Sequence, residues 1–334
     1  MTITGPIPLE PARSVAKTRP TQGKALDARQ IGLLARQYRD ADDMEGYRTF
    51  FAEADPGLRQ HFMENGTDAA FLRDTGRVAG AVNIFRKLRY KSYAGPMPAF
   101  EKIYRRNAPD LNRLKWVYRN LWGKPPYRMP RLIEVIDGRH LSVALFGFEP
   151  FEPVSPDDLI TVMVAMNEFS IGQPVTAFDH VHPSLLRMPA LYMSRRKTLA
   201  RHLEVAGIAE TELARVEASA MAALPVFNHG DLHRFNVGRN GAICDWDCSC
   251  FAPAAHDLGR ALAALRTFRF VSGLRDFITN RLGQDVAKDR QEKARIMFFY
   301  MVYAAKTRTV EKDSEQIATL RKIFSEIQAA FNEN

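Results

Sequence analysis

Side chains able to do chemistry concentrate in two neighbouring segments, FNHGDLHRFN at 227–236 and DWD at 245–247. Phosphoryl transfer from a nucleotide requires a carboxylate that accepts the proton of the attacking hydroxyl. It also requires an amide and a second carboxylate to hold the Mg²⁺ ion that bridges the phosphates. The spacing predicts Asp231 as the base, with Asn236 and Asp245 as the Mg²⁺ ligands.

Local elements are expected to bring these residues together. Apolar residues predict a short strand at 225–227, after which the chain turns at His229 so that Asp231 faces a cleft. An Asn-Gly pair at 240–241 predicts a two-residue type I′ hairpin, which returns the chain to Asp245. Each polar residue alone is typical of an ordinary turn. Their combination on a strand, a turn and a hairpin favours a catalytic site over that simpler interpretation.

These two segments, with HDLG at 256–259, resemble the aminoglycoside phosphotransferase and choline kinase-like superfamily over residues 225–262. The resemblance implies an α+β, bilobal protein-kinase-like fold. Its N-lobe is mixed and holds an antiparallel sheet, and its C-lobe is mostly helical. The resemblance also implies that Asp257 supports the catalytic loop from a helix start, where its position additionally suits an N-cap. His229 and Asp247 complete the set of supporting residues.

The predicted organisation has three parts. Residues 1–25 are rich in Pro, Thr and basic residues and form a flexible arm, 26–149 form the N-lobe, and 150–334 form the C-lobe. The C-lobe contains the catalytic loop 229–236 and the metal-binding segment 245–247. Helices are expected at 27–51, 109–122, 157–169, 190–205, 210–224, 257–269 and from 286 to the C-terminus.

The acceptor is expected to be a small molecule rather than a protein. A protein kinase has a lysine in its catalytic loop, Phe-Gly after the metal-binding Asp, and a long activation segment. Here His233 occupies the lysine position, Trp246 follows Asp245, and the chain reaches Asp257 only twelve residues after Asp245. Such a segment is too short to lay out a peptide. A sugar, an aminoglycoside, a choline-like alcohol and a lipid-linked saccharide remain open as hydroxyl acceptors.

One lysine should hold the nucleotide phosphates from a strand of the N-lobe. The alternating segment 99–104 makes Lys102 the leading candidate, with Lys87 and Lys91 as alternatives. A loop is expected before it, at 93–98. This strand would place the cation opposite the predicted Mg²⁺ ligands.

Two features depart from the family pattern. The helix after Lys102 has no obvious glutamate to pair with it, so Asp110 or Glu45 is expected to substitute. No convincing glycine-rich loop is present either, since Gly95 stands alone. These departures put the backbone grip on the phosphates in doubt.

The adenine is expected to bind where the two lobes are linked. A hairpin with strands at 130–136 and 141–146 and an Asp-Gly turn at 137–138 ends at this link. In kinase-like folds the adenine is hydrogen-bonded to backbone groups there, which makes Phe148 and Glu149 the candidate cofactor-binding residues.

Composition restricts the class of protein. The 334 residues are 46% apolar, and no apolar run approaches the roughly eighteen residues that span a bilayer. The N-terminus lacks a secretory signal pattern, so a reducing cytoplasm is the expected compartment. The net charge of +9 would attract ATP or another nucleoside triphosphate, nucleic acid or an anionic membrane surface alike. The usual nucleic-acid-binding modules are absent, so no nucleic-acid partner is expected, whereas membrane-surface association stays open.

Other interpretations are retained. A nucleotide-binding pseudokinase or scaffold would explain the missing glutamate and glycine-rich loop, although a scaffold has no need of a base. The clustered Cys244, Cys248 and Cys250 allow a thiolate metal site, but structural zinc normally takes two separated pairs of ligands. A cationic acceptor would need carboxylates, whereas the positive charge of the chain favours a neutral or anionic one. The candidate carboxylates are Glu168, Asp179, Asp247 and Glu311.

Overall fold

The structure, a computed structural model, describes residues 28–64, 69–71, 84–92, 95–124, 126, 128–148, 152–286, 289–305 and 314–332. The predicted flexible arm at 1–25 lies outside the described residues. The N-terminal part combines helices with one sheet. Its elements are α1 Ala28–Asp40, α2 Met44–Ala54, α3 Arg59–Met63, β1 Ala70–Phe71, β2 Ile84–Ser92, β3 Gly95–Arg105, α4 Pro109–Leu121, β4 Leu132–Asp137 and β5 Leu141–Gly147.

The N-terminal sheet is antiparallel throughout, with the strand order β1-β2-β3-β5-β4. Its strand β5, which lies between β3 and β4, is buried on both faces. Val143 and Leu145 pack with the helices α1 to α3, whereas Ala144 and Phe146 pack with the larger core of the C-terminal part. Because both faces of the strand are covered, its sequence is a continuous run of mostly apolar residues and does not alternate between apolar and polar residues. The predicted β4–β5 hairpin is confirmed.

The prediction of one continuous helix at 27–51 is wrong. The structure has two helices, and the break falls at Asp42, whose backbone is left-handed with φ 57°. Asp43 then caps α2, since its carboxylate accepts a hydrogen bond from the Gly46 N–H at 2.8 Å. Aspartate favours such turn and cap positions over helix interiors, and this local preference outweighs the apolar periodicity.

The loop predicted at 93–98 is also shorter in the structure, because β3 already begins at Gly95 and includes two prolines. Pro96 pairs in register with Lys91, and Pro98 pairs with Arg89. A proline cannot donate to a sheet, but its carbonyl can accept. The Pro98 carbonyl accepts the Phe148 N–H at 2.9 Å, which fastens β3 to the end of β5.

Buried Asp55 fastens the N-terminal helices to the β4–β5 turn. Its carboxylate accepts four backbone N–H groups at 2.6–3.0 Å, and the side chain has no solvent exposure. Burial alone would raise the pKa of Asp55, but these N–H groups outweigh it and hold the pKa below its usual range. The donors are Gly57, Arg139, His140 and Leu141.

We expect Asp55→Ala to lower the free energy of unfolding by about 3 kcal/mol or more, because four buried donors lose their acceptor. Since the folded pKa is the lower one, this contribution is complete above the unfolded pKa of about 3.9. It decreases as the pH falls through the folded pKa. Urea unfolding at neutral and acidic pH tests this, with the exposed Asp40→Ala as control. A difference between Asp55→Ala and wild type that does not shrink in acid would contradict this role.

The C-terminal part is mostly helical, around a two-stranded sheet. The helix α10 lies at its centre and is buried over nearly its whole length. It packs closely against α8, where Gly259 allows the contact, since a Cβ there would lie 2.5 Å from the Phe299 Cβ. The elements are α5 Pro156–Ile171, α6 Ala190–Val205, α7 Glu210–Met221, β6 Val226–Asn228, β7 Cys250–Ala252, α8 Ala255–Leu265, α9 Leu274–Val286, α10 Arg290–Ala304 and α11 Ser314–Asn332.

The helices predicted within 157–269 are all present, at the predicted bounds for α6 and with shifted ends for the others, but the final segment differs. The region from 286 onward contains two helices, α10 and α11, and the preceding helix α9 was not predicted. The low amphipathicity of α9 and the all-round burial of α10 explain this, because neither presents a clear apolar stripe. Within the described residues, no helix has both the length and the apolarity required to cross a membrane.

Candidate active site

The predicted catalytic loop begins where β6 ends and is held by a carboxylate from α8. Asp257 accepts the backbone N–H groups of His229 at 2.6 Å and Gly230 at 2.8 Å. Burial alone would raise the pKa of Asp257, but His256 and His229 and the Gly230 N–H outweigh it, so the pKa is lowered. Asp257 is therefore an ionised brace for the loop. It is not the N-cap that the sequence suggested, because α8 starts two residues earlier at Ala255.

His229 fixes the first turn of the loop as a neutral ring. Burial lowers its pKa despite the nearby carboxylates. Its Nδ1 accepts the Asp231 N–H at 3.2 Å, so the proton must be on Nε2, which donates to the Cys244 carbonyl at 2.9 Å. The ring also packs against Trp246 at a centroid distance of 4.5 Å. His229 thus joins the catalytic loop to the DWD segment.

Asp231 has one of its two carboxylate oxygens occupied by an arginine. Its Oδ1 accepts from Arg260 Nη2 at 2.6 Å and Nε at 2.7 Å, while His233 Nε2 lies 3.6 Å from Oδ2. Burial alone would raise the pKa of Asp231, but Arg260 and His233 outweigh it and hold the pKa well below its usual range. The carboxylate is therefore ionised, and Oδ2 is the oxygen that can face an incoming hydroxyl.

At the end of the loop, a hydrogen bond fixes the orientation of the Asn236 side-chain amide. Its Nδ2 donates to the Asp231 carbonyl at 2.9 Å, which leaves the amide oxygen as the atom that can ligate a cation. Its own carbonyl accepts the Cys244 N–H at 3.0 Å, so the backbone leading into Asp245 is fastened to Asn236.

The hairpin between Asn236 and Asp245 is present, but its turn is not the predicted type I′. That type requires a positive φ at both central residues, and here Gly241 has φ 76° while Asn240 does not. The Gly241 N–H donates to Gly238, which is the pattern of a type I turn followed by a glycine bulge. The outcome for the site is unchanged, because the chain still returns to Asp245.

Asp245 has a strained backbone, with φ 66° and ψ 55° in the left-handed region that non-glycine residues seldom adopt. This conformation aims the carboxylate at β3. Lys102 Nζ lies 2.6 Å from Asp245 Oδ1 and 2.6 Å from Asp247 Oδ2. Two residues further along β3, the Tyr104 hydroxyl donates to Asp247 Oδ1 at 2.9 Å. One strand of the sheet therefore contacts both acidic residues of DWD.

Lys102, the leading candidate for the lysine that holds the phosphates, contacts both carboxylates of DWD in the structure. Burial alone would lower the pKa of its ammonium, but Asp245 and Asp247 raise it well above its usual range. The prediction that a helix carboxylate, Asp110 or Glu45, pairs with Lys102 is wrong. Asp110 is paired with Arg113 at 3.0 Å, and Glu45 is exposed. The side chains of Lys87 and Lys91 lie outside the described residues.

The predicted adenine contacts can be placed only in part. Phe148 directly follows β5, and its N–H is already hydrogen-bonded to the Pro98 carbonyl, so this N–H is not available to a base. Glu149 lies outside the described residues. The link between the two parts of the chain nevertheless follows β5 directly, as the hairpin pattern predicts.

The carboxylates predicted for a cationic acceptor lie in different surroundings. Glu168 and Asp179 are exposed, and neither has an ion pair among the described residues. Asp247 is engaged with Lys102, and Glu311 lies outside the described residues. The three cysteines are free thiols, and burial raises the pKa of Cys244 to about 12. No group of three or more metal-ligating side chains is placed to hold a metal ion within the described ranges.

Arg260 and Tyr104 are site residues that the sequence reasoning missed. Arg260 lies in α8, where every residue from 255 to 263 is buried. An arginine in such a stretch must pair with a carboxylate, because an unpaired buried charge is strongly unfavourable. That signal could have identified Arg260, although not its partner Asp231, 29 residues away. Tyr104 shares the Lys102 face of the strand by simple alternation.

Gly230 is the residue of the loop where a side chain is least tolerable. Its φ is 84°, and a Cβ there would lie 1.8 Å from the Cys248 carbonyl oxygen. We expect Gly230→Ala to displace Asp231 and to lower turnover by on the order of 10²-fold. Stability should fall by about 3 kcal/mol or more.

Gly241→Ala is the matched control. Gly241 also has a positive φ of 76°, but no atom of the described residues lies within 4 Å of an added Cβ. It should show only the backbone cost of about 1–2 kcal/mol and near-normal turnover. Thermal unfolding and turnover of the two variants separate the clash from the backbone strain. Equal losses in both would show that the contact with Cys248 does not matter.

Comparison with known proteins agrees with this arrangement. Residues 102–293 match the model of the phosphotransferase enzyme family (APH), which is more than half of the chain. The chain therefore belongs to this family, and the predicted resemblance is confirmed. The fold is protein-kinase-like, with an N-terminal antiparallel sheet and a mostly helical remainder. No curated protein sequence is significantly similar to the chain.

Several solved structures are similar to the chain at low identity. An aminoglycoside phosphotransferase from Alicyclobacillus acidocaldarius is 14% identical with a TM-score of 0.40, covering 75% of this chain and 88% of its own. A Streptomyces rimosus aminoglycoside phosphotransferase, solved with ADP and streptomycin, is 16% identical with a TM-score of 0.40, covering 64% and 91%. A spectinomycin phosphotransferase, solved with ADP and spectinomycin, is 11% identical with a TM-score of 0.40, covering 78% and 92%.

Proposed function

We propose that this chain transfers the γ-phosphate of ATP to a hydroxyl of a small molecule. The observation that carries the proposal is the contact of Lys102 with Asp245 across the two parts of the chain. This contact places the buried Lys102 ammonium against the carboxylate of Asp245, a residue whose backbone is strained. The ionised Asp231 precedes Asp245 in the chain by one short hairpin. Membership of the phosphotransferase family supports the same reaction class.

A Mg²⁺ ion fits the residues at this site. Magnesium takes hard oxygen ligands and is held by one or two protein groups together with substrate phosphates. Asn236 can offer its amide oxygen, because its Nδ2 is already used by the Asp231 carbonyl, and Asp245 can offer a carboxylate oxygen. When bound, the ion would neutralise charge on the phosphates. We assign Asn236 and Asp245 as its ligands and Asp247 as their supporting carboxylate.

Lys102 would hold the phosphates from β3. Its ammonium carries three donors and makes two short contacts, to Asp245 and Asp247. These carboxylates keep the amine charged and point it at the site rather than at solvent. The link after β5, with Phe148 and Glu149, is where we place the adenine.

Asp231 would position the acceptor. Because Arg260 occupies Oδ1, the hydroxyl of the acceptor would donate to Oδ2 and lie in line with the γ-phosphorus. The bond from the hydroxyl oxygen to phosphorus forms while the bond to the leaving oxygen of ADP breaks, and the proton passes to Oδ2. A carboxylate of low pKa is a weak base, so its main effect is orientation, with proton transfer late.

An ADP-release assay over a panel of alcohols, sugars and amino alcohols tests the proposal. Wild type should release ADP with at least one acceptor in Mg²⁺ and not in excess EDTA. Lys102→Met should lose at least about tenfold in kcat/KM for ATP, since a buried charge contact to the phosphates is removed. Lys115→Met, which loses an exposed ion pair with Asp137, is the matched control and should behave as wild type. Equal ATP kinetics in Lys102→Met and wild type would refute the assignment.

A further inference from the structure

Positive charge exceeds negative charge around the catalytic carboxylate. Arg260 is bound to Asp231, and Arg195 reaches the same region from α6. Both guanidiniums lie over the Phe268 ring, at 5.1 Å and 5.9 Å from its centroid, so they are neighbours. His233 approaches the other oxygen of Asp231 at 3.6 Å. Asp231 is thus paired with Arg260, has His233 close to its other oxygen, and is near enough to influence Arg195 electrostatically.

Arg195 has no carboxylate of its own. Its Nη1 donates to the Ala305 carbonyl at 3.2 Å, and within the described part of the chain it forms no ion pair. Burial and the positive charge of Arg260 lower the pKa of Arg195, because both make its charged form less favourable. Its side chain is only half-buried, so solvent and ligands can reach it.

Arg260 is also incompletely satisfied. Its Nε and Nη2 bind Asp231, but its Nη1 is buried and has no hydrogen-bond partner among the residues that the structure describes. Buried polar atoms are nearly always paired, so such an atom calls for an explanation. One carboxylate oxygen does not saturate a guanidinium with five N–H donors.

The aromatic ring near both arginines belongs to a residue with a strained backbone. Thr267 and Phe268 follow α8 with φ values of 54° and 58°. The Phe268 N–H donates to Ala263 and the Thr267 N–H to Ala264, the Schellman pattern that usually places glycine at the left-handed residue. Two successive non-glycine residues in this conformation cost energy, and such strain clusters at ligand sites.

We propose that the phosphate acceptor carries an anionic oxygen group, a carboxylate or a phosphate, close to its reacting hydroxyl, and that Arg195 binds it. This inference rests on the proposed function, because it uses Asp231 as the residue that receives the hydroxyl. The hydroxyl lies at Oδ2, and the anionic group lies against the free donors of Arg195, with Arg260 adding charge from behind. A cationic amino alcohol or aminoglycoside would meet repulsion from these guanidiniums.

Calorimetric titration of 3-phosphoglycerate and of glycerol into protein saturated with Mg²⁺ and ADP tests the inference, because the nucleotide site is then filled. Wild type should bind 3-phosphoglycerate and not glycerol. Arg195→Gln should weaken that binding about tenfold or more, and Arg195→Lys should restore part of it. Lys197→Gln removes the same charge from the exposed side of α6, in the groove towards α7, and should match wild type.

A kinetic arm compares paired acceptors, glycerol with glycerol 3-phosphate and with glycerate, and glucose with gluconate and with glucose 6-phosphate. The anionic members should be preferred, and the preference should be lost in Arg195→Gln. Equal binding of 3-phosphoglycerate by wild type and Arg195→Gln, or a preference for choline, would overturn the inference. So would a loss of Mg²⁺–ATP affinity in Arg195→Gln with unchanged 3-phosphoglycerate binding, which would assign Arg195 to the nucleotide. Failure of wild type to bind Mg²⁺ and ATP would instead refute the proposed function itself.

Discussion

Asp231→Asn is expected to lower turnover by on the order of 10²-fold or more while the protein still folds and binds Mg²⁺–ATP. The amide has the shape of the carboxylate but cannot take the hydroxyl proton. It also loses the charge that pairs with Arg260 and His233 in the structure. The loss should therefore appear in kcat rather than in the KM for ATP.

Two measurements make this result specific. Calorimetric titration of ATP in Mg²⁺ should give the same affinity in Asp231→Asn and wild type, and thermal unfolding should show that the variant is folded. Asp276→Asn, an exposed position in the first turn of α9, serves as a control for the chemical change alone. Near-normal turnover in Asp231→Asn would remove this residue from the role of base.

Asp245→Ala is expected to abolish the strengthening of ATP binding by Mg²⁺, because the first carboxylate ligand of the proposed metal site is lost. Lys102 keeps its contact with Asp247, so part of the metal-free affinity for ATP should remain. The measurement is an ATP titration with and without Mg²⁺. An unchanged Mg²⁺ dependence in this variant would move the metal site elsewhere, with Asp247 as the first alternative.

The juxtaposition of the candidate site residues could be predicted because these residues are close in sequence. His229, Asp231, Asn236 and Asp245 lie within one strand, one turn and one hairpin, so local spacing brings them together. Even the wrong turn type did not alter the outcome, since both hairpin forms return the chain to the same place. Lys102 was predicted from strand alternation and the family layout.

The partners of these residues could not be predicted in the same way. Lys102 and Asp245 are separated by 143 positions, and the missing helix glutamate gave no indication that both acidic residues of DWD would contact the lysine. Asp257 could either accept backbone N–H groups of the loop or cap its own helix, and its position in the sequence suits both roles. In the structure it accepts the loop N–H groups. The pairing of Arg260 with Asp231 depends on how α8 packs beneath the loop, which is a tertiary property.

The N-terminal region shows a different limit. Its apolar periodicity predicted one helix, but local aspartate turns divided it, and buried Asp55 joins it to the β4–β5 turn over more than eighty positions. Such long-range hydrogen bonds leave no periodic pattern in a sequence. They decide how the helices cover the sheet that carries Lys102.

Phosphorus NMR of the protein with Mg²⁺, ATP and mixtures of neutral, anionic and cationic hydroxyl compounds tests the central proposal most directly. We predict that a phosphomonoester resonance grows as the γ-phosphate resonance declines, in equal amount to the ADP formed, and that Asp231→Asn suppresses it. A protein that binds Mg²⁺–ATP but leaves ATP intact in every mixture, or releases only inorganic phosphate, would contradict phosphotransfer and favour a nucleotide-binding scaffold.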